Sequence, residues 1–167
     1  MKKIIVLIIF MTLAGLSFAA DPVEGYWLSI DEKTGNITAG WYIYQESGKL
    51  FGKILSMSDF SKDVLAENCN DSYQGFPVAG RVSQMPVVGT PWIFGLTRNR
   101  TGEWSGGNVI NPEDGRMYRC RVIIRPEDGR RFTVETLEMR GEIGLGIGRS
   151  QFWQRTNQQT AESLGPK

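Results

Sequence analysis

Residues Trp104 to Arg125 read WSGGNVINPEDGRMYRCRVIIR, and the reading of this stretch decides the fold. Its second half alternates. Tyr118, Cys120, Val122 and Ile124 fall on one side, and Arg119, Arg121, Ile123 and Arg125 on the other. Successive side chains of an extended chain point to opposite faces, so Met117–Arg125 is a strand with a core side and a water side. Asn-Pro-Glu-Asp-Gly ahead of it is turn chemistry: proline sets the entry, and Asp-Gly supplies positive backbone dihedrals. Before the turn, Trp104–Ile110 reads as the partner strand. Strict alternation puts Trp104, Gly106, Asn108 and Ile110 on one face, and Ser105, Gly107 and Val109 on the other. The stretch is therefore a hairpin whose glycine pair permits sharp coiling or close approach of another segment.

The same grammar extends in both directions. Gly25–Ile30, Trp41–Gln45 and Leu50–Met57 are strand-like runs, separated by the polar turn Asp31–Asn36 and by Glu46-Ser47-Gly48. A further strand enters at Trp92, and Arg131–Arg140 and Arg149–Arg155 follow the quoted hairpin. Pro-Glu-Asp-Gly recurs at Pro126–Gly129 and predicts a second tight hairpin. Beyond it Phe132 and Val134 are out of phase with Leu137 and Met139, which predicts a bulge at Glu135 or Thr136. Ser58–Gly89 is irregular, with Phe60, Val64 and Leu65 as one face of a short helix. A connection this long is often a lid, an arm or a binding loop. The whole predicts an all-β protein: a single antiparallel up-and-down β-barrel of about eight strands with a long irregular middle connection.

The first residues bear on compartment. Lys2 and Lys3 precede an apolar run, and Ser17-Phe18-Ala19 ends it with small residues at both positions a signal peptidase reads. The run, about 15 residues, is shorter than the ~20 of a spanning helix. Residues 1–19 are thus expected to be a secretory signal peptide, leaving no transmembrane anchor once removed, and the protein is expected in the periplasm or outside the cell. A barrel domain over 20–157 and a disordered polar tail over 158–167 complete the expected organisation.

With 19 basic and 18 acidic side chains, the chain has no long-range pull toward nucleic acid. The arginines from Arg116 to Arg131 alternate along strands among acids and read as a solvated face. There is no histidine, which excludes Ser-His and Cys-His nucleophile pairs and most zinc sites. No catalytic residue, metal ligand or cofactor is assigned. Cys69 and Cys120 are the only cysteines. In an oxidising compartment an even count suggests a disulfide, with a loop thiol and a small buried strand residue as the alternative.

Three segments in order carry a resemblance: Gly25-Tyr26-Trp27; MPVVGTPWIFGL (Met85–Leu96) followed by EWSGGNVINPEDGRMYRC (Glu103–Cys120); and RGEIGLGIGRSQFWQR (Arg140–Arg155). From about Asp21 to Thr156 the chain resembles the bacterial exported family catalogued as domain of unknown function 2147. It departs from that pattern at Glu142, where many members carry an aromatic residue, and around Cys69. The resemblance implies a lipocalin-like barrel and no established activity. In such barrels a basic residue of the last strand packs over the tryptophan of a first-strand Gly-x-Trp; here that is Trp27, with Arg149 or Arg155 as the cation.

Eight strands make a barrel just wide enough to be filled by side chains or to hold one small ligand. The leading expectation is non-catalytic binding of a small amphiphilic or apolar molecule. Trp27, Trp104, Asn108, Tyr118, Arg140, Arg149 and Trp153 are the candidate contacts. A packed barrel serving as a structural or protein-interaction module, with Ser58–Gly89 as its contact surface, is the alternative. An enzyme built on Glu142, Arg140 and Tyr118 is the third reading, and a carboxylate beside an arginine is more often a salt bridge.

Overall fold

A computed structural model describes residues 20–144 and 146–166. The predicted signal peptide lies outside the described residues. Eight strands follow in chain order: β1 (Gly25–Ile30), β2 (Ile37–Glu46), β3 (Lys49–Met57), β4 (Pro91–Arg100), β5 (Glu103–Ile110), β6 (Met117–Arg125), β7 (Thr136–Gly144) and β8 (Ile147–Thr156). Each pairs antiparallel with the next, and β8 returns to β1 to close the barrel. The closing seam is short, joining Tyr26 to Thr156, Trp27 to Arg155 and Leu28 to Gln154. Closure removes the exposed strand edges that invite aggregation.

The alternation of Met117–Arg125 is realised as written. Cys120 and Val122 are buried on the inner face, while Arg119 is exposed on the outer. Inside, Trp27 stands opposite Trp41 across β1 and β2. Ile43, Leu50, Leu96, Trp104, Leu137 and Trp153 fill the rest of one continuous core.

Several local expectations are corrected. In β5 the pairing runs from Trp104–Val122 to Gly107–Cys120, so Ser105 and Gly106 together oppose Arg121. Gly106 takes φ +78°, a conformation suited to glycine at a bulge. The extra residue reverses the phase, and Trp104 shares the inward face with Val109 instead of with Asn108. A side chain at Gly107 would collide with the β4 backbone at Phe94–Leu96, so the second glycine permits close strand approach. After β6 the second Pro-Glu-Asp-Gly opens a longer loop instead of a tight hairpin. The Asp128 carboxylate accepts the N–H groups of Arg130, Arg131 and Phe132, and those hydrogen bonds hold its pKa below the usual range. Strand β7 starts only at Thr136, so no bulge is needed, and Phe132 packs on Phe152 outside the wall at 5.6 Å.

The middle segment has no helix at Phe60–Leu65; its one helical turn is a 3-10 turn at Val82–Gln84. The segment is an arm on the outer face of β4. Phe76 meets Phe94 edge-on at 5.3 Å, and Trp92 Nε1 donates to the Val87 carbonyl at 2.7 Å. Trp92 and Phe94 are thus buried outside the barrel wall, beneath the arm. The tail also differs from expectation. Gln158–Glu162 forms a short helix, α1, capped by Asn157 accepting from the Thr160 N–H. Ala161 is fully buried, and its carbonyl accepts from Ser56 Oγ at 2.6 Å. Gly40 allows this docking, because a Cβ there would overlap the Ala161 backbone.

Candidate functional site

The two ends of the barrel differ. At one, Trp27 is fully buried, and the Arg155 guanidinium lies 4.2 Å from its ring centroid. Arg155 also pairs with Glu135 at 2.7 Å and donates to the carbonyls of Glu24 and Pro22. Trp27 Nε1 donates to the Val23 carbonyl at 3.0 Å. Of the two arginines the sequence offered, Arg155 is the cation. This end is sealed, and Trp27 is an anchor of the core.

Trp153 is likewise fully buried. It stacks on Trp41 with centroids 4.8 Å apart, and its Nε1 donates to Gln151 Oε1. Trp104 is buried in the same core, with its Nε1 lacking an acceptor among the described residues. These three candidate contacts therefore form the filling of the barrel.

Toward the other end, inward-facing side chains begin to reach solvent. Trp41 is 8% exposed, Met57 9%, Val109 8% and Met139 9%, against 0% for Trp27, Leu50, Leu96 and Leu137. Tyr118 is half-buried and pairs with Val109, next to Gly141. Arg149 is exposed and pairs with Gly141. Tyr118 and Arg149 are thus the two candidate residues that stand at this mouth. Met57, Val109 and Met139 were not singled out by sequence reasoning. Their signal was available for Met139, whose phase matches Leu137, but nothing in Met57 marks it as the last residue before the arm.

Asn108 and Arg140 are on the outside. Asn108 pairs with Arg119, Arg119 with Glu142, and Arg121 with Arg140. Arg140 Nε meets Glu142 Oε1 at 2.7 Å. One row along, Arg125 meets Glu138 at 2.6 Å, and Ser150 Oγ donates to the same carboxylate at 2.6 Å. Burial opposes ionisation of Glu138, yet Ser150 and Arg125 hold its pKa below the usual carboxylate range. The Arg140–Glu142 pair is separated from Tyr118 by the barrel wall, so the three do not form a catalytic constellation. Among the described residues no cluster of three or more His, Cys, Asp or Glu side chains could hold a metal.

Cys69 and Cys120 are free thiols, both buried, so the disulfide is not formed. The arm does fold back, but onto the β5–β6 turn. Cys69 Sγ lies 4.0 Å from the Pro112 carbonyl, and the Tyr73 hydroxyl donates to the Gly115 carbonyl at 2.7 Å. Cys120 faces into the barrel instead. Burial pushes both thiols up, Cys120 most strongly.

Two concavities mark the outer surface. One, of about 500 Å³, follows the β5 bulge and is lined by Asn108, Arg119, Arg121 and Glu142. The other, of about 530 Å³, lies between the β1–β2 turn and Phe132 and Phe152, beside the short seam. No helix among the described residues is long and apolar enough to cross a membrane.

Among solved structures, protein HP1028 from the human pathogen Helicobacter pylori, described as belonging to the lipocalin family, is similar to this chain. The TM-score is 0.64 at 16% identity, over 84% of this chain and 87% of that one, a likeness of fold. No curated protein sequence matches the chain. The family model described as an uncharacterized protein conserved in bacteria, DUF2147, matches residues 25–155, and the chain belongs to that family.

Proposed function

We propose that this protein is an exported, non-catalytic binder of a small amphiphilic molecule, held at the open mouth of the barrel. The observation that carries the reading is the change in accessibility along the axis: inward side chains are sealed at the Trp27 end and reach solvent around Met57, Val109 and Met139. Trp27, Trp41, Trp104 and Trp153 occupy the interior below, so the ligand enters only the upper part and is short or flat. Its apolar portion would meet Trp41 and the two thioethers, which adapt to irregular shapes. Its polar end would be oriented by the Tyr118 hydroxyl and the Arg149 guanidinium, in the usual pattern of an apolar site with few polar anchors. The lipocalin-like fold supports the reading, since an eight-stranded barrel is at the width where filling and binding compete.

A second reading has its own observation. Phe60, Leu65 and Val78 on the arm are exposed apolar side chains. They favour a protein-interaction module of the cell envelope, with the barrel as scaffold.

Native mass spectrometry of protein gently purified from the native envelope separates the two. Bound amphiphile, reduced in Arg149→Ala at unchanged melting temperature, supports the mouth. A ligand-free protein that also ignores short-chain amphiphiles added in solution overturns it in favour of the interaction module. N-terminal sequencing of the same preparation tests export: a start near Ala20 is expected, and an intact Met1 contradicts it.

A further inference from the structure

The β5 bulge has a chemistry that the mouth does not use. The groove that follows it on the outer wall, about 500 Å³, is bordered by Asn108, Arg119, Arg121 and Glu142. That size falls within the range of small-molecule sites, roughly 300–1,000 Å³. Arg121 and Arg140 stand directly opposite across β6 and β7. Like charges in that position destabilise a sheet unless something compensates. Arg140 is compensated by Glu142 at 2.7 Å. The other carboxylates on this face are also engaged, Glu138 with Arg125 at 2.6 Å and Glu103 with Arg100 at 2.8 Å. Arg121, half-buried, forms no ion pair among the described residues; its charge is felt by Glu103 and Glu138, but no carboxylate grips its guanidinium. Arg119, exposed on the same groove, has no ion-pair partner among the described residues either.

A guanidinium not gripped by a carboxylate has donors to spare, and its planar fork is best satisfied by an oxyanion. We propose that the groove binds a small soluble molecule through a carboxylate or phosphate group. The Arg119 and Arg121 guanidinium groups hold its oxygens, and the Asn108 amide hydrogen-bonds the adjoining part of the molecule. The bulge makes the site: opposing two residues to Arg121 indents the wall at that arginine. Glu142 at the rim, tied to Arg140, disfavours a ligand with several negative charges, so a singly or doubly charged molecule fits better than a polyanion. The groove is on the outer face and the mouth on the inner, so either assignment stands or falls without the other.

The test is NMR of the arginine Nε–Hε groups in the intact protein. Sodium phosphate and sodium acetate are titrated against sodium chloride at equal ionic strength. The Arg121 cross-peak is expected to shift and saturate with phosphate or acetate but not with chloride, while the Arg155 cross-peak stays in place. Arg119→Gln, on an exposed side chain, should weaken the response by about tenfold or more, as expected for loss of one charge-assisted contact. Arg121→Lys is the second variant, with thermal melts confirming that each folds. Shifts that track ionic strength alike at Arg121 and Arg155 overturn the proposal, as does an Arg119→Gln protein that titrates like the parent. A parallel arm sediments the protein with phosphatidylglycerol vesicles. Vesicle binding lost in Arg119→Gln, without saturation by the free anions, overturns the soluble ligand in favour of a lipid headgroup.

Discussion

The sealed and open ends of the barrel are built from similar material and behave differently. Each presents an arginine of β8 on the inward side of the wall, Arg155 at one end and Arg149 at the other. Arg155 finds a tryptophan face, a carboxylate and two carbonyls, and becomes part of the structure. Arg149 stands opposite glycine, in solvent, beside half-buried Tyr118. The lesson is that residue type does not assign role. What surrounds the guanidinium decides whether it closes the fold or is free to meet a ligand.

Substitutions can break this contrast. The largest effect is expected for Trp27→Ala, which empties the sealed end and should destabilise by ~3–5 kcal/mol in urea melts. A midpoint equal to the parent's would remove the seal from the account. Arg155→Gln should come next, at ~1–2 kcal/mol, from the lost cation–π contact and the hydrogen bonds it shares. Glu138→Gln addresses the outer wall. Because the folded-state pKa of Glu138 is depressed, its contribution is present above the ordinary carboxylate pKa and fades as pH falls through the lowered value. The parent should therefore lose stability on acidification more steeply than Glu138→Gln, and parallel pH–melting curves would contradict this. Arg149→Ala should be smallest, within ~0.5 kcal/mol of the parent, as for a surface change. A loss matching Arg155→Gln would mean the mouth is structural too.

The strands were largely legible because alternation is a local signal. Met117–Arg125 and Gly25–Ile30 have the bounds the sequence suggested, and Trp27 is the anchor expected of it. The site was less so. One residue inserted at Gly106 moved Asn108 to the outside while Trp104 kept its inward place, because a bulge reverses every face assignment beyond it. The glycine pair signalled distortion but not its register. Arg140 was put forward for a cavity, yet its neighbour in space is Glu142 two residues along, a pairing set by the outer face of one strand. The arm's hold on Trp92 and Phe94 had no periodicity to read. Helix α1 is fixed by a tertiary partner, Ser56, over a hundred positions away in the chain. Cys120 was legible as a small buried strand residue and Cys69 as a loop thiol, but whether they meet depended on where the arm lands.

Only one end of the barrel is expected to admit a ligand. Indole N–H and methionine methyl NMR signals can be followed together while decanoate is titrated into the protein. Saturable shifts are expected at the Met57 and Met139 methyls and at the Trp41 indole, with the Trp27 indole unmoved. Methyls that do not respond, or a Trp27 indole that shifts as far as Trp41, would contradict it.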